Sequence, residues 1–329
     1  MKAERIRYDR EKGKMTVDNQ RGDAEAPALT LPAAHQRRAL SLSGVGLTLL
    51  AVLSVSTSAL FVRLAGQVSA YEIAFWRLVI ASTVLTPPML LRGEWRAVQT
   101  EGLRRFAVYG LTLAVHFIGY NLGLRYAPVA HVMPLVYTST IFLALLSAVI
   151  LHEPLRRLQI VGVVVVIVGI GVLAGFEPHL TPRLLLGDAW AIVSAIAFAF
   201  YSLLGRQTRE RVPLLGYAVG VYALAALWTA PFALAAALRA PLPLGALGRY
   251  TPQVMLALLG LGLLPNAIGH TLYNASVRRV HPAVANVLFT QEVTGAIVLA
   301  WLFLGEVPSP NALVGAFIML AGIIMVLLG

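Results

Sequence analysis

Residues 120–169 read YNLGLRYAPVAHVMPLVYTSTIFLALLSAVILHEPLRRLQIVGVVVVIVG, and residues 273–322 read YNASVRRVHPAVANVLFTQEVTGAIVLAWLFLGEVPSPNALVGAFIMLAG. The two stretches keep step at a constant offset of 153 residues. Tyr120-Asn121 falls on Tyr273-Asn274, Arg125 on Arg278, Glu153 on Glu306, Gly162 on Gly315 and Gly169 on Gly322. A bilayer core about 30 Å thick needs roughly 20 apolar residues of helix, because every backbone donor must be paired inside the segment. Each stretch supplies two such runs around a short polar connection, and the chain carries the arrangement twice.

Working outward, the 329-residue sequence holds ten runs of this kind. They are Leu42–Leu64, Tyr71–Leu91, Leu103–Leu122, Pro128–Leu151, Leu158–Phe176, Leu186–Gly205, Leu214–Leu238, Pro252–Leu272, Pro282–Phe303 and Pro310–Leu328. Only 12% of the residues are charged and 58% are hydrophobic, against about 25% charged in an ordinary soluble domain. So few charges cannot cover a water-facing surface on a chain this long. The expected fold is an all-α integral membrane protein. With no cysteine in the sequence, disulfides, thiolate metal sites and cysteine nucleophiles are all excluded.

The net charge of +11 does not point to nucleic acid, because its distribution records orientation instead. Nine of the 26 Lys and Arg lie before residue 39, in a tail (residues 1–40) read as a disordered cytoplasmic segment without a signal-length apolar run. With that tail inside, the cytoplasmic side also takes Arg92, Arg96, Arg104, Arg105, Arg156, Arg157, Arg206, Arg209, Arg211, Arg278 and Arg279. The outer side takes only Arg63, Arg125, Arg183, Arg239 and Arg249. Twenty against five places both termini in the cytoplasm.

Arg63 matches Arg206 at an offset of 143, so the second half carries about ten extra residues around its second and third spans. The halves are residues 41–176 and 186–329, with five spans each. Five is odd, so the second half threads the membrane upside down. Inverted repeats of this kind build alternating-access transporters, whose two bundles exchange conformations around a site at their interface.

Leu124-Arg125-Tyr126-Ala127, then Leu151-His152-Glu153-Pro154-Leu155, Gln159 and Gly162 resemble the repeat unit of the drug/metabolite transporter superfamily, EamA type. Val277-Arg278-Arg279, Leu304-Gly305-Glu306 and Gly315 repeat the pattern, and Phe75-Trp76-Arg77 suits it as well. The resemblance covers nearly everything after residue 40. It departs at Thr140 and its counterpart Val293, where the family often has a mid-span Pro. It departs again at Ser54-Val55-Ser56-Thr57-Ser58, in place of a small-Trp-Gly element. Both departures are compatible with the amino-acid exporter branch. That branch, in which the aromatic amino-acid exporters are the nearest likeness, implies export across a bacterial inner membrane.

Polar groups inside hydrocarbon find protein partners or line a wet cavity. Glu292 stands near the centre of the ninth span, where an ionised carboxylate costs about 2.5–3.5 kcal/mol on insertion scales. It is read as a contact for a substrate ammonium or a coupled proton. Asn286, Thr290 and Thr294 share one face at four-residue spacing, with Gln291 beside them. The repeat partner of Glu292 is Ser139, flanked by His131, Tyr137, Thr138 and Thr140. His116 stacks on Tyr120 in the third span, and Asn266 on His270 in the eighth, where Pro265 loosens the backbone. Tyr201 and Ser202 in the sixth span, and Ser54 and Ser58 in the first, complete the candidate lining. Arg77, a third of the way into the second span, is a candidate for a carboxylate. Glu153 and Glu306, at span ends, read as helix caps, and Asp188 as an interfacial or capping residue. The fifth and tenth spans read as scaffold packed through small residues such as Gly171 and Gly175.

An intramembrane enzyme needs a nucleophile with a base, or a metal cluster. His152-Glu153 begins like a metalloprotease HExxH, but Arg156 stands where the second His belongs. No Gly-x-Ser-x-Gly elbow and no phosphate loop occur, so no cofactor, metal or direct ATP use is expected. The reading is a secondary transporter for amino acids or similar metabolites. Its partners are that solute and the lipid bilayer, nucleic acid is not among them, and both halves in one chain make a monomer sufficient. The rival is proton-coupled efflux of lipophilic cations.

Overall fold

The structure is a computed structural model that describes residues 6–9, 14–17, 42–175, 181–205, 208, 211–239, 248–276, 279 and 282–329. Most of the tail, and Arg206, Arg209 and Arg278 of the charge count, lie outside the described residues. The chain divides into two units, residues 1–37 and 38–329. In the first, Ile6–Asp9 pairs antiparallel with Lys14–Val17, Ile6 opposite Val17 and Tyr8 opposite Met15. These eight residues depart from the unstructured tail that the sequence implies. An isolated two-stranded hairpin is marginal in water.

The second unit is the ten-helix membrane fold. Among the described residues nine helices are long and apolar enough to cross a membrane, Gly44–Leu64, Ala70–Leu91, Leu103–Tyr126, Val129–Ile150, Pro182–Leu204, Leu214–Leu238, Pro252–Tyr273, Val284–Leu304 and Pro310–Leu328, and the shorter apolar Arg157–Leu173 takes the fifth place. Their starts are written in the sequence. Ser69 accepts from Glu72 N in a full capping box, and Thr181-Pro182, Thr251-Pro252 and Ser309-Pro310 each pair a capping hydroxyl with proline at the first helical position. The Thr181 cap starts the sixth span four residues before the expected Leu186. It also corrects the capping role expected of Asp188.

The fifth and tenth spans establish the inversion. A Cβ on Gly162 would stand 2.7 Å from Gly322 O, and one on Gly169 would stand 2.8 Å from Met319 N and 3.0 Å from Gly315 O. The helices are therefore antiparallel. Gly162 faces the repeat equivalent of Gly169, and Gly169 faces that of Gly162, which is the reciprocal contact of a two-fold axis. Gly171, singled out from the sequence, meets nothing within 4 Å. Around this pair the halves interdigitate: the first span packs between the eighth and ninth, and the sixth between the third and fourth.

Three spans are not the uninterrupted helices the sequence suggests. The fourth breaks between Tyr137 and Ser139, and the ninth between Phe289 and Glu292. At each break a threonine hydroxyl bonds back to a carbonyl three residues earlier, Thr138 to Leu135 O at 2.6 Å and Thr290 to Val287 O at 2.7 Å. The backbone tightens alongside, with Thr138 N on Leu135 O and Gln291 N on Leu288 O, both at 3.1 Å. Hydroxyls that compete for helix carbonyls bend helices, and the sequence signal for these breaks was the threonines themselves. The eighth span widens into a π-helix over Gly262–Gly269 around Pro265. Proline has no N–H to give and forces the ladder to adjust. The Pro265 carbonyl is taken by His270 N and is not left free.

Both broken spans end alike. Glu153 N reaches Ser147 O and Glu306 N reaches Ala300 O, each at 3.3 Å. The residue between turn and helix is left-handed in each case, His152 at φ 56° and Gly305 at φ 68°.

Candidate transport site

The polar residues of the helix interiors converge from both repeats. Arg77, on the second span, is 2% exposed. Its Nη2 donates to Asn266 Oδ1 at 2.7 Å and to Ser58 Oγ at 3.3 Å, and its guanidinium lies 3.9 Å from the centre of the Phe117 ring. Its Nε and Nη1, and Asn266 Nδ2, are buried without hydrogen-bond partners. Buried donors left unpaired are expensive, and those of a charged group more so. Asn266 owes its position to the π-helix, which places Pro265, Asn266 and Ala267 in the interior.

Glu292 opens the second half of the ninth span and keeps part of its surface accessible. The Tyr137 hydroxyl, from the fourth span, stands 2.5 Å from Glu292 Oε2 and 3.1 Å from Phe289 O. Its single proton serves the carboxylate by the shorter bond. Arg77 and Tyr120 lie within electrostatic reach of Glu292, and no ion pair joins Arg77 to it among the described residues. The charges thus face one interior without neutralising each other by contact.

A wall of rings runs beside them. His116 Nδ1 takes Ser194 Oγ at 2.9 Å and Ser194 O at 3.1 Å. Its ring lies 4.9 Å from Phe117, 4.7 Å from Phe198 and 6.3 Å from Tyr120, centre to centre. Phe198 continues to Tyr201, and Tyr201 to Tyr217. Tyr273 bonds Asn286 Oδ1 and packs 4.3 Å from Phe289, against which His270 also rests.

The structure therefore brings Arg77, Ser58, Asn266, His116, Tyr120, Tyr137 and Glu292 to one interior, with Tyr201, His270 and Ser139 at its margins. It does not bring the expected polar face of the ninth span with them. Thr290 is 1% exposed with its hydroxyl turned onto its own backbone. Gln291 is exposed and pairs with Thr294 at 3.3 Å, because the helix restarts at Glu292 and the four-residue periodicity does not cross the break. Thr138 is spent on the break in the same way. Asn121 donates to Ala70 O at 3.0 Å, away from the centre, and the Asn274 side chain lies outside what is described. Asp188 meets His131 at 3.4 Å. Glu306 does not cap the tenth span, whose cap is Ser309, but binds Arg63. Sequence reasoning missed Phe117 and Ser194. Phe117 is an apolar neighbour of a predicted residue, and Ser194 is a lone small hydroxyl in an apolar run, so neither gave a separate signal. Among the described residues no three His, Asp or Glu side chains gather as a metal would require.

The comparisons with known proteins agree with this architecture. A probable terminal-alkyne amino-acid exporter of Streptantibioticus cattleyicolor is 29% identical over 257 residues, 76% of this chain and 81% of that protein. An S-adenosylmethionine uptake transporter of Rickettsia felis is 25% identical over 170 residues, half of this chain and 55% of that one. A solved crystal structure at 21% identity superimposes with a TM-score of 0.60 over 87% of this chain and 96% of the other. The pattern of the EamA-like transporter family matches twice, at residues 42–175 and again at 185–328. The chain is a multi-pass membrane protein that belongs to the EamA-like transporter family.

Proposed function

We propose that this protein exports amino acids, aromatic ones among them, by alternating access, with Arg77 receiving the solute's carboxylate and Glu292 its ammonium. The observation that carries this reading is the pairing of opposite charges in one interior. Arg77 offers two unpartnered guanidinium nitrogens, and Glu292 is bound by a tyrosine and, among the described residues, by no cation. A zwitterion completes both, and a guanidinium fork suits a carboxylate in particular. The rings of Phe117, His116 and Tyr120 give an aromatic or long apolar side chain a surface to lie on. The two kinds of named relative handle solutes that share an α-amino acid group, which supports the same assignment.

Efflux of lipophilic cations is the second reading, and Glu292 alone would suit it. The fixed charge of Arg77 in the same low-dielectric interior opposes it, since like charges there repel far more strongly than in water. Twenty positive charges on one side against five on the other support an inner-membrane orientation with both termini cytoplasmic and the Arg63 end outside. Counterflow of labelled phenylalanine into liposomes holding the purified protein tests the function. Phenylalanine should exchange, while phenylalaninamide (no carboxylate) and N-acetylphenylalanine (no ammonium) should compete poorly. Exchange of lipophilic cations with no amino-acid counterflow would overturn the assignment.

A further inference from the structure

Two arginine–carboxylate pairs at one end of the bundle tie the first repeat to the second. Arg63, at the end of the first span, places Nε 2.6 Å from Glu306 Oε1. The same guanidinium donates through Nη2 to Ala127 O at 2.9 Å and through Nη1 to Leu124 O, while Glu306 Oε2 accepts from Val129 N at 3.1 Å. One pair therefore gathers the ends of the first, third, fourth and ninth spans. The second pair joins the second span to the approach of the eighth: Glu72 Oε1 accepts from Arg249 Nη2 and from the Tyr250 hydroxyl, both at 2.7 Å. Trp76 Nε1 donates to the same hydroxyl at 3.0 Å. Burial and the bond to Glu72 push the Tyr250 hydroxyl up to about 12, so it remains a donor to the carboxylate. His131 and Asp188 add a weaker link between the repeats at this end.

At the opposite end Arg206, the repeat equivalent of Arg63, lies outside the described residues. Glu94 Oε2 accepts from Leu215 N at 2.9 Å and Gly216 N at 3.1 Å, capping the seventh span, and Arg156 donates to Gly329 O at 2.9 Å. These are contacts of a charge with backbone. Among the described residues, both inter-repeat arginine–carboxylate pairs lie at the Arg63 end.

We propose that Arg63–Glu306 and Glu72–Arg249 are two bolts of a latch that shuts the outer mouth, and that solute passes only when both part. The inference rests on the alternating-access reading above, which requires that one mouth be closed while the other admits solute. The charges suit a reversible closure. The Arg63 and Glu306 side chains keep 24% and 25% of their surface exposed, so on separating each can hydrate at once and no bare charge is left in hydrocarbon. In the second pair Arg249 is 16% and Glu72 2% exposed; on parting, Arg249 can hydrate while Glu72 keeps the Ser69 N–H bond of its capping box at 3.0 Å, so that neither charge is left bare.

The absence of cysteine from the sequence makes the test clean. Ser58→Cys places one thiol five residues below Arg63 on the same helix, about 7 Å inward at 1.5 Å per residue. The full-length protein carrying it is exposed to a membrane-impermeant methanethiosulfonate, in intact cells and in inside-out vesicles. The thiol should be protected from the Arg63 side. Glu306→Gln or Arg249→Gln should raise the labelling rate from that side at least tenfold, the two together further, with no rise from the other side. Arg249→Gln touches no backbone cap, so it keeps the test valid should Glu306→Gln fail to fold, and monodisperse elution verifies each variant. Unchanged labelling in the neutralised variants would overturn the latch. Labelling needs no transported solute, so its outcome is separate from that of the counterflow experiment.

Discussion

The fourth and ninth spans break at equivalent places, yet the side chains that follow the breaks are unlike. Ser139 begins the second half of one and Glu292 the second half of the other, 153 residues apart. Both breaks rest on back-bonded threonines, and both spans end on a left-handed residue with matched 3.3 Å bonds. The backbone has been kept twice and the chemistry only once. Exchange between two conformations requires halves of similar shape, whereas binding a polar solute requires charges placed without symmetry. The same division separates the rest of the molecule, with Arg77 and Glu292 unmatched in the interior while Gly162 and Gly169 meet their own repeat equivalents at the scaffold seam.

The largest effect expected from that contrast is at the site. Glu292→Gln keeps the shape and an acceptor but removes the charge, and a charge-assisted hydrogen bond contributes about 1.5–3 kcal/mol, on the order of tenfold to 150-fold in kcat/KM for amino-acid counterflow. Tyr137→Phe, which removes the 2.5 Å bond, should cost less, about tenfold. Ser139→Ala, at the equivalent position, should stay within roughly threefold, because Ser139 is 9% exposed and no charge depends on it. Counterflow rates for the three variants, each referred to the amount of folded protein, decide the matter. If Ser139→Ala were as damaging as Glu292→Gln, the two halves would share the chemistry and the contrast would be lost.

The scaffold should behave in the opposite way, with equivalent positions giving matched losses. A methyl on Gly162 would stand 2.7 Å from Gly322 O, and one on Gly315 would stand 2.6 Å from Leu173 Cβ and 2.8 Å from its backbone. Neither helix can yield without moving its partner, and overpacking of this kind costs about 1–3 kcal/mol. Gly162→Ala and Gly315→Ala should therefore lower the unfolding temperature in detergent by similar amounts, and Gly171→Ala, in open space, should leave it unchanged. Unequal losses would mean that the two-fold relation fails at the seam.

What the sequence revealed follows the same line. Hydropathy and the 153-residue offset are periodic signals. They gave the spans, their pairing into repeats and the interior places of Arg77, Tyr137, His116, Asn266 and Glu292. Interruptions of a period are harder to see. The Thr290 face is read across a break that only the folded backbone reveals, so that Gln291 is exposed and the Thr290 hydroxyl bonds its own backbone. Partners distant in sequence were illegible for a different reason: nothing near Glu306 announces Arg63, 243 positions away. Gly171 lies on the same span as Gly162 and Gly169, and only the packing shows that nothing meets it within 4 Å; the contacts of Gly175 lie outside what is described.

The smallest effect expected is at the ends of the two broken spans, where the repeats hold one conformation with different residues. His152 at φ 56° and Gly305 at φ 68° both close their helices in the left-handed region. A side chain there costs roughly 1–2 kcal/mol, which glycine avoids. Against this, glycine loses about 0.5–1 kcal/mol more conformational freedom on folding. His152→Gly should then stabilise the protein by about 0.5 kcal/mol, the difference between those two amounts. Gly305→Ala should destabilise it by a similar amount, since a Cβ at Gly305 meets nothing within 4 Å and only the backbone objects. Opposite shifts in unfolding temperature of about one or two degrees would show that the two helix ends differ only in residue. Shifts of the same sign would mean that the His152 side chain makes a contact that holds its helix end, and that the likeness of the two ends stops at the backbone.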